Sequence, residues 1–134
     1  MDGISEILAT YNCVSLDEKI QFELDGVVEK EIKQAYCIEN LEFCVSCMDY
    51  TTLKVSDTEE SVKNFTADLL KKLKKFNLRD VAAVCVFSNY AGIVREGLKG
   101  TEIQTAVVAG NFPNSQTFTE IKLAECKMAI GAGA

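Results

Sequence analysis

A seven-residue apolar run, Val81-Ala-Ala-Val-Cys-Val-Phe87, constrains the fold of this chain more than any other segment. A strand with one face in water alternates apolar and polar residues, whereas a strand buried on both faces is apolar almost throughout. Strands of the second kind are typical of parallel sheets with helices packed on them. The run therefore predicts a parallel strand inside an α/β protein.

Segments with strand and helix patterns alternate around this run. Residues 48–53 and 103–109 are the other strand candidates. The segments with apolar residues at helical spacing are 56–76, 90–99 and 117–130. The first of them opens on a predicted capping box, Ser56-Asp-Thr-Glu59. The order β-α-β-α-β-α with short connections predicts right-handed βα units and a parallel sheet.

Two architectures share this order of elements, the open doubly wound sheet and the closed (β/α)8 barrel. A doubly wound sheet that binds a nucleotide carries a glycine-rich phosphate loop directly after a strand. Neither a GxGxxG nor a Walker-type motif follows any of the three candidate strands. The pattern therefore argues against a nucleotide-binding doubly wound fold.

The first 47 residues differ from the rest of the chain in pattern and in charge. They contain only helical patterns, of which the longest opens on a capping box at Ser15-Leu-Asp-Glu18 and continues through Ile20, Leu24 and Ile32. Residues 1–47 hold ten acidic and three basic residues, whereas residues 48–134 hold ten and eleven. We therefore expect a helical N-terminal extension over 1–47 and the βα units over 48–134.

The composition argues against several classes of function. The chain has no histidine, which excludes Ser-His-Asp and Cys-His nucleophile systems and zinc sites with histidine ligands. A net charge of −6 without a basic stripe argues against nucleic acid as a partner. No apolar run approaches the ~18–20 residues that span a bilayer, and the N-terminal MDGISEI lacks the basic region of a signal peptide. We expect a cytoplasmic protein without a membrane partner.

Six cysteines in a cytoplasmic chain predict free thiols rather than disulfides. Cys44-Val-Ser-Cys47 is a CxxC sequence, but it lies late in a helical pattern, whereas a redox CxxC opens a helix. The spacing of the other cysteines supplies no second ligand pair for zinc. We predict buried structural thiols for this pair and no metal site.

The predicted strands and their ends provide a short list of candidate site residues. Ligands bind at the carboxyl ends of the strands in both architectures. Asp49 is either a carboxylate directed into a barrel beside a cation or a strand-end residue that caps a turn. Cys85 alone is typical of a core thiol, and Phe112 either lines a pocket or closes a barrel rim. No lysine lies in a predicted strand, so the chain offers no candidate for a Schiff base.

Three groups of residues resemble, in order and spacing, the first three βα units of the deoxyribose-phosphate aldolase family. The matching segments, which extend over residues 48–134, are Met48-Asp-Tyr-Thr-Thr-Leu-Lys54, Asp57-Thr-Glu-Glu60, Val81–Phe87, Asn89-Tyr90, Gly110-Asn-Phe-Pro113, Thr119-Glu-Ile-Lys-Leu-Ala-Glu125 and Ala129-Ile-Gly-Ala132. The chain therefore looks like the N-terminal portion of a member of this family.

This resemblance implies a class I aldolase on a (β/α)8 barrel, of which the chain supplies three βα units. Such enzymes reversibly cleave 2-deoxy-D-ribose 5-phosphate to D-glyceraldehyde 3-phosphate and acetaldehyde through a lysine Schiff base, without a metal or another cofactor. The resemblance also implies that Asp49 is an active-site carboxylate and that Thr51, Cys85 and Phe112 belong to the substrate pocket. The two catalytic lysines and the acid that relays the proton are expected beyond residue 134.

Two functional hypotheses follow. In the first, the chain is a piece of a deoxyribose-phosphate aldolase that acts in deoxyribonucleotide catabolism and is inactive alone. In the second, it is a non-catalytic half-barrel module for binding or assembly. An incomplete barrel leaves strand 48–53 or 103–109 as an exposed edge. The expected partners are a sugar phosphate for the complete enzyme, and a second copy or a complementary chain for the module. A further possibility, separate from these two, is that the gene continues past codon 134.

Overall fold

The computed structural model describes residues 3–11 and 13–134, with side chains at all of these positions except 8, 13–17 and 33. The chain divides into two compact units, Met1–Leu41 and Glu42–Ala134. The division at residue 47, which was drawn from pattern and charge, stays a prediction.

The first unit is helical where the structure describes it. Its elements are α1 (Gly3–Thr10), α2 (Cys13–Val27), a π-helical turn (Val28–Ile32), α3 (Lys33–Ala35) and the start of α4 (Ile38–Ser46). Every side chain that is described between residues 3 and 41 is exposed, including Ile20, Leu24 and Ile32. Side chains 15–17 of the predicted capping box lie outside the described residues, although the backbone of α2 is already helical there.

The second unit contains three βα pairs. Its elements after α4 are β1 (Asp49–Thr51), α5 (Glu59–Phe76), β2 (Ala83–Phe87), a 3-10 turn (Ser88–Tyr90), α6 (Ala91–Gly97), β3 (Gln104–Val108) and α7 (Thr119–Gly131). The strands form a parallel sheet in the order β1-β2-β3. The predicted β-α-β-α-β-α order and parallel sheet are therefore confirmed.

The register of the strands gives the sheet two different faces. Thr51 pairs with Cys85, and Cys85 pairs with Ala106. Because side chains alternate along a strand, residues that pair in this way point to the same side. The face on the other side, here called the covered face, consists of Tyr50, Val84, Val86, Thr105 and Val107.

The core of the second unit lies between the covered face, α5 and α6. Its buried members are Val62, Leu69, Leu73, Val81, Val84, Val86, Val94, Leu98 and Ile103. The predicted apolar side of α5 supplies Val62, Leu69 and Leu73 to this cluster, whereas Phe76 at its end is exposed. The sheet is thus held by two helices that pack against one of its sides.

The start of α5 differs from the prediction. Its N-cap is Thr58 rather than Ser56. The Thr58 hydroxyl accepts from the backbone N–H of Ser61 at 3.1 Å, and the Ser61 hydroxyl accepts from the Thr58 N–H at 2.8 Å. Ser56 lies before the helix in a turn that the Asp57 carboxylate closes, since it accepts from the Thr52 hydroxyl at 2.9 Å.

The CxxC pair also differs from the prediction. Cys44 and Cys47 are free thiols, but both are exposed, so their predicted burial is wrong. Val45, between them, is the residue that packs against the core. An amphipathic helix packs against a core with one side. In α4 that side contains Val45, and the side chains of Cys44 and Cys47 lie outside it.

Candidate functional site

The predicted strand residues of the site share the second side of the sheet, here called the open face. This face consists of alternate residues of the three strands, among them Asp49, Thr51, Cys85, Phe87, Gln104, Ala106 and Val108. Asp49, Thr51 and Gln104 are exposed, and Cys85 is partly buried. The chain thus presents a carboxylate, a hydroxyl, an amide and a thiol on one accessible surface.

Hydrogen bonding and charge couple Asp49, Thr51 and Cys85. The Thr51 hydroxyl donates to the carbonyl oxygen of Asp49 at 3.1 Å and lies within hydrogen-bonding reach of the Cys85 sulfur. Burial raises the pKa of the Cys85 thiol, the hydrogen bond from Thr51 opposes that rise, and the negative charge of Asp49 adds to it. The thiol therefore stays protonated at neutral pH, which suits a lining residue better than a nucleophile.

Phe112 lies apart from this group, in the loop that follows β3. Its side chain is 49% exposed, and among the described residues no hydrogen bond or ring contact joins it to the other three. The loop backbone is left-handed at Gly110, Asn111 and Ser115, with φ of +71°, +62° and +54°, and the bond from Phe112 to Pro113 is cis. The structure thus unites three of the four predicted residues.

A second carboxylate, Asp57, joins the turns that follow β1 and β2. Its side chain accepts from the Thr52 hydroxyl and from the backbone N–H of Lys54, each at 2.9 Å. Its carbonyl oxygen accepts from the Tyr90 hydroxyl at 2.6 Å. Sequence analysis missed this link because Tyr90 is 33 residues away, and no local pattern reports such a pairing.

A third carboxylate, Glu125 of α7, joins the ends of β2 and β3. One oxygen accepts from the Ser88 hydroxyl at 2.8 Å, and the other accepts from the backbone N–H of Asn111 at 3.0 Å. The bonds from Asn111, Ser88 and the N–H of Gly110 lower the pKa of Glu125, because they stabilise its charged form. This residue was also missed, although it ends a segment that was matched to the family.

Clefts also lie away from the open face. One of about 760 Å³ separates α5 from α6, and its walls include Glu59, Glu60, Lys63, Ile93 and Glu96. Another of about 480 Å³ lies between α7 and the Ser88–Tyr90 turn. None of the four predicted site residues lines either cleft.

The described part of the chain contains no group of three or more Cys, Asp or Glu side chains that could hold a metal ion. Its helices are also too short or too polar to span a membrane.

Comparison with known proteins confirms the resemblance found in the motifs. The chain is 41% identical over 87 residues to a deoxyribose-phosphate aldolase of Clostridium novyi, which covers 65% of this chain and 36% of the relative. It is 33% identical over 128 residues to the deoxyribose-phosphate aldolase of Bos taurus, with 85% and 38% covered. The chain thus spans a little over a third of these relatives. No family model matches the chain.

Comparison with solved structures finds the same family. A deoxyribose phosphate aldolase of Aeropyrum pernix, described as a unique tetrameric structure, superimposes with a TM-score of 0.55 at 26% identity. The match covers 69% of this chain and 36% of the other. The similarity therefore again reaches about a third of the longer protein.

Proposed function

We propose that this chain is the N-terminal portion of a deoxyribose-phosphate aldolase, and that its strands are the first three of a (β/α)8 barrel. Three consecutive parallel strands in the order β1-β2-β3, with α5 and α6 on one side, are what adjacent units of such a barrel provide. The open face would then be part of the barrel interior. The complete protein would reversibly cleave 2-deoxy-D-ribose 5-phosphate in the cytoplasm during deoxyribonucleotide catabolism.

The observation that carries this proposal is the grouping of Asp49, Thr51 and Cys85 on the open face. A carboxylate there would balance the charge of the second lysine of the family's pair, the protonated one that lowers the pKa of the reacting lysine, while Thr51 and Cys85 would line the pocket with small polar groups. Phe112 would contribute an apolar wall from the loop after β3. Because a Schiff base forms only on a neutral amine, the lysine itself must come from a site that depresses its pKa.

We further propose that the 134 residues alone do not catalyse the cleavage. β1, β2 and β3 contain no lysine, and a class I aldolase forms its intermediate on a lysine amine. Incubation of the chain with 2-deoxyribose 5-phosphate and borohydride should leave its intact mass unchanged. The Clostridium novyi relative, treated in parallel, is the positive control, and a stable substrate adduct on this chain would contradict the proposal.

The assignment of Asp49 is tested in a chimera. Residues 48–134 replace the matching segment of the Clostridium novyi enzyme, and Asp49→Asn is compared with Glu120→Gln, an exposed acid on α7. An opposite charge at close range shifts a lysine pKa by about 1–3 units, so loss of the Asp49 carboxylate should change turnover by about 10-fold or more. An active chimera in which Asp49→Asn and Glu120→Gln have equal turnover would remove Asp49 from the site.

The second candidate function, a non-catalytic assembly module, is favoured by the two free edges of the sheet. Among the described residues, β1 and β3 each pair only with β2, so their outer backbone groups can pair with another strand. The partner would be a second copy or a complementary chain that carries further βα units. Light scattering over a range of concentrations is the test, and a monomer at every concentration excludes self-pairing.

A further inference from the structure

Glu125 joins two loops of the second unit, since its two carboxylate oxygens accept hydrogen bonds from groups in two different loops. Ser88 follows β2 and Asn111 follows β3, and both loops lie at the carboxyl end of the sheet. We propose that Glu125 is a positioning residue that sets the conformation of loop 110–115 against the end of β2. The loop carries Phe112. Any effect of Glu125 on a substrate pocket through Phe112 rests on the proposed function, whereas the anchoring of the loop itself does not.

The loop needs such an anchor because its backbone hydrogen bond from the Ser115 N–H to the Asn111 carbonyl oxygen, at 2.8 Å, stays within the loop. Residues 111–116 are exposed, and Gly110 and Asn111 are both left-handed, a conformation that a non-glycine residue adopts at a cost. Successive backbone N–H groups in a turn can form a concave site that binds an anion. The carboxylate of Glu125 is that anion, and α7 holds it in place.

A carboxylate fits this geometry better than a glutamine amide does, because it accepts at both oxygens in either orientation and its charge strengthens both hydrogen bonds. Both oxygens of Glu125 accept hydrogen bonds, whereas a glutamine has one accepting oxygen and one donating nitrogen. The Ser88 hydroxyl can rotate and accept from that nitrogen, but the N–H of Asn111 cannot. Anchoring should therefore fall from Glu to Gln to Ala, whereas a role in packing alone would make Glu and Gln equal.

Other titratable groups near Glu125 are few. Those on α7 and on the elements packed against it are Tyr90, Arg95, Glu96, Glu120, Lys122, Cys126 and Lys127. Among these, only Glu96 and Glu120 carry carboxyl groups. Glu96 is paired with Lys99 at 2.6 Å, and Glu120 lies in the exposed first turn of α7. Glu120→Gln is therefore the matched control.

The first test follows the backbone amides of the ¹⁵N-labelled chain by NMR from about pH 7 to about pH 3. The Asn111 amide proton should move with a single midpoint below the ordinary glutamate pKa of about 4.3. Glu125→Gln should abolish this titration, and Glu120→Gln should leave it intact. An Asn111 amide that does not titrate, or that titrates equally in Glu125→Gln, overturns the proposal.

The second test measures hydrogen exchange at neutral pH. Loss of hydrogen bonds to a charged group should speed exchange at Gly110 and Asn111 by about 10-fold or more in Glu125→Ala, with a smaller increase in Glu125→Gln. The amides of β2 and β3 should keep their protection. A uniform increase over the whole second unit, or no change in the loop, contradicts the proposal.

A variant that does not fold leaves the proposal testable. If Glu125→Ala loses its circular dichroism signal, Ser88→Ala replaces it, since this change removes one partner and leaves the charge. Exchange at Gly110 should then rise modestly while the Asn111 titration persists, and loss of that titration would contradict the assignment. Neither test involves substrate. A borohydride result that contradicts the aldolase proposal therefore leaves the role of Glu125 in the loop untouched, and a failed NMR or exchange test leaves the aldolase proposal untouched.

Discussion

The two faces of the sheet have the same strands but opposite surroundings. On the covered face, Val84 and Val86 are fully buried beneath α5 and α6. On the open face, Asp49 and Thr51 are exposed, and Cys85 is only partly buried although it lies between those two valines in sequence. Neighbouring residues of one strand therefore have different roles. Those on the covered face stabilise the fold, and those on the open face include the polar groups that could interact with a ligand.

The largest expected contrast is between Val86 and Cys85. Val86→Ala removes buried methyl groups and leaves a cavity, which should lower the free energy of unfolding by about 2 kcal/mol. Cys85→Ala, one residue earlier, should lower it by less than about 1 kcal/mol because its site is partly open. Urea denaturation followed by circular dichroism measures both, and equal losses would mean that the two faces contribute alike to stability.

A smaller contrast is expected between two threonines. The hydroxyl of Thr105 is buried on the covered face and has no hydrogen-bond partner among the described residues. Thr105→Val should therefore raise the free energy of unfolding by about 1 kcal/mol. The same change at the exposed Thr51 should alter it by no more than about 0.5 kcal/mol. A destabilised Thr105→Val variant would show that the hydroxyl is satisfied.

The smallest effect concerns the pKa of Cys85, which reports the electrostatics of the open face. Asp49→Asn removes a nearby negative charge and should lower this pKa, whereas Thr51→Val removes a hydrogen bond that stabilises the thiolate and should raise it. The rate of iodoacetamide alkylation against pH, measured on the tryptic peptide 80–95, isolates Cys85 from the other cysteines. Shifts of the same sign would contradict the arrangement described here.

Much of the fold could be predicted from the sequence because its signals are local. The apolar run at 81–87 marked β2, and the apolar stripe of α5 marked the residues that cover it. The errors arose where local patterns compete. Ser56 and Thr58 are both plausible caps, and the Asp57 turn decides between them, while exposure of the cysteines depends on how α4 packs.

The site was less predictable because its parts are joined across the sheet and between loops. Asp49, Thr51 and Cys85 could be proposed from their strands and from family resemblance, but their shared face follows only from the register. Asp57 and Glu125 were not predicted as site residues because their partners lie on other elements. A carboxylate bound by distant donors has no signature in a single sequence.

Three small side chains stand side by side across the open face: Thr51, Cys85 and Ala106. They occupy the middle of the open face, to which all three strands contribute. A one-residue slip of any strand would bring a larger side chain to this face, such as Tyr50 or Val86. The alignment of the backbones thus decides how much room the middle of the open face offers.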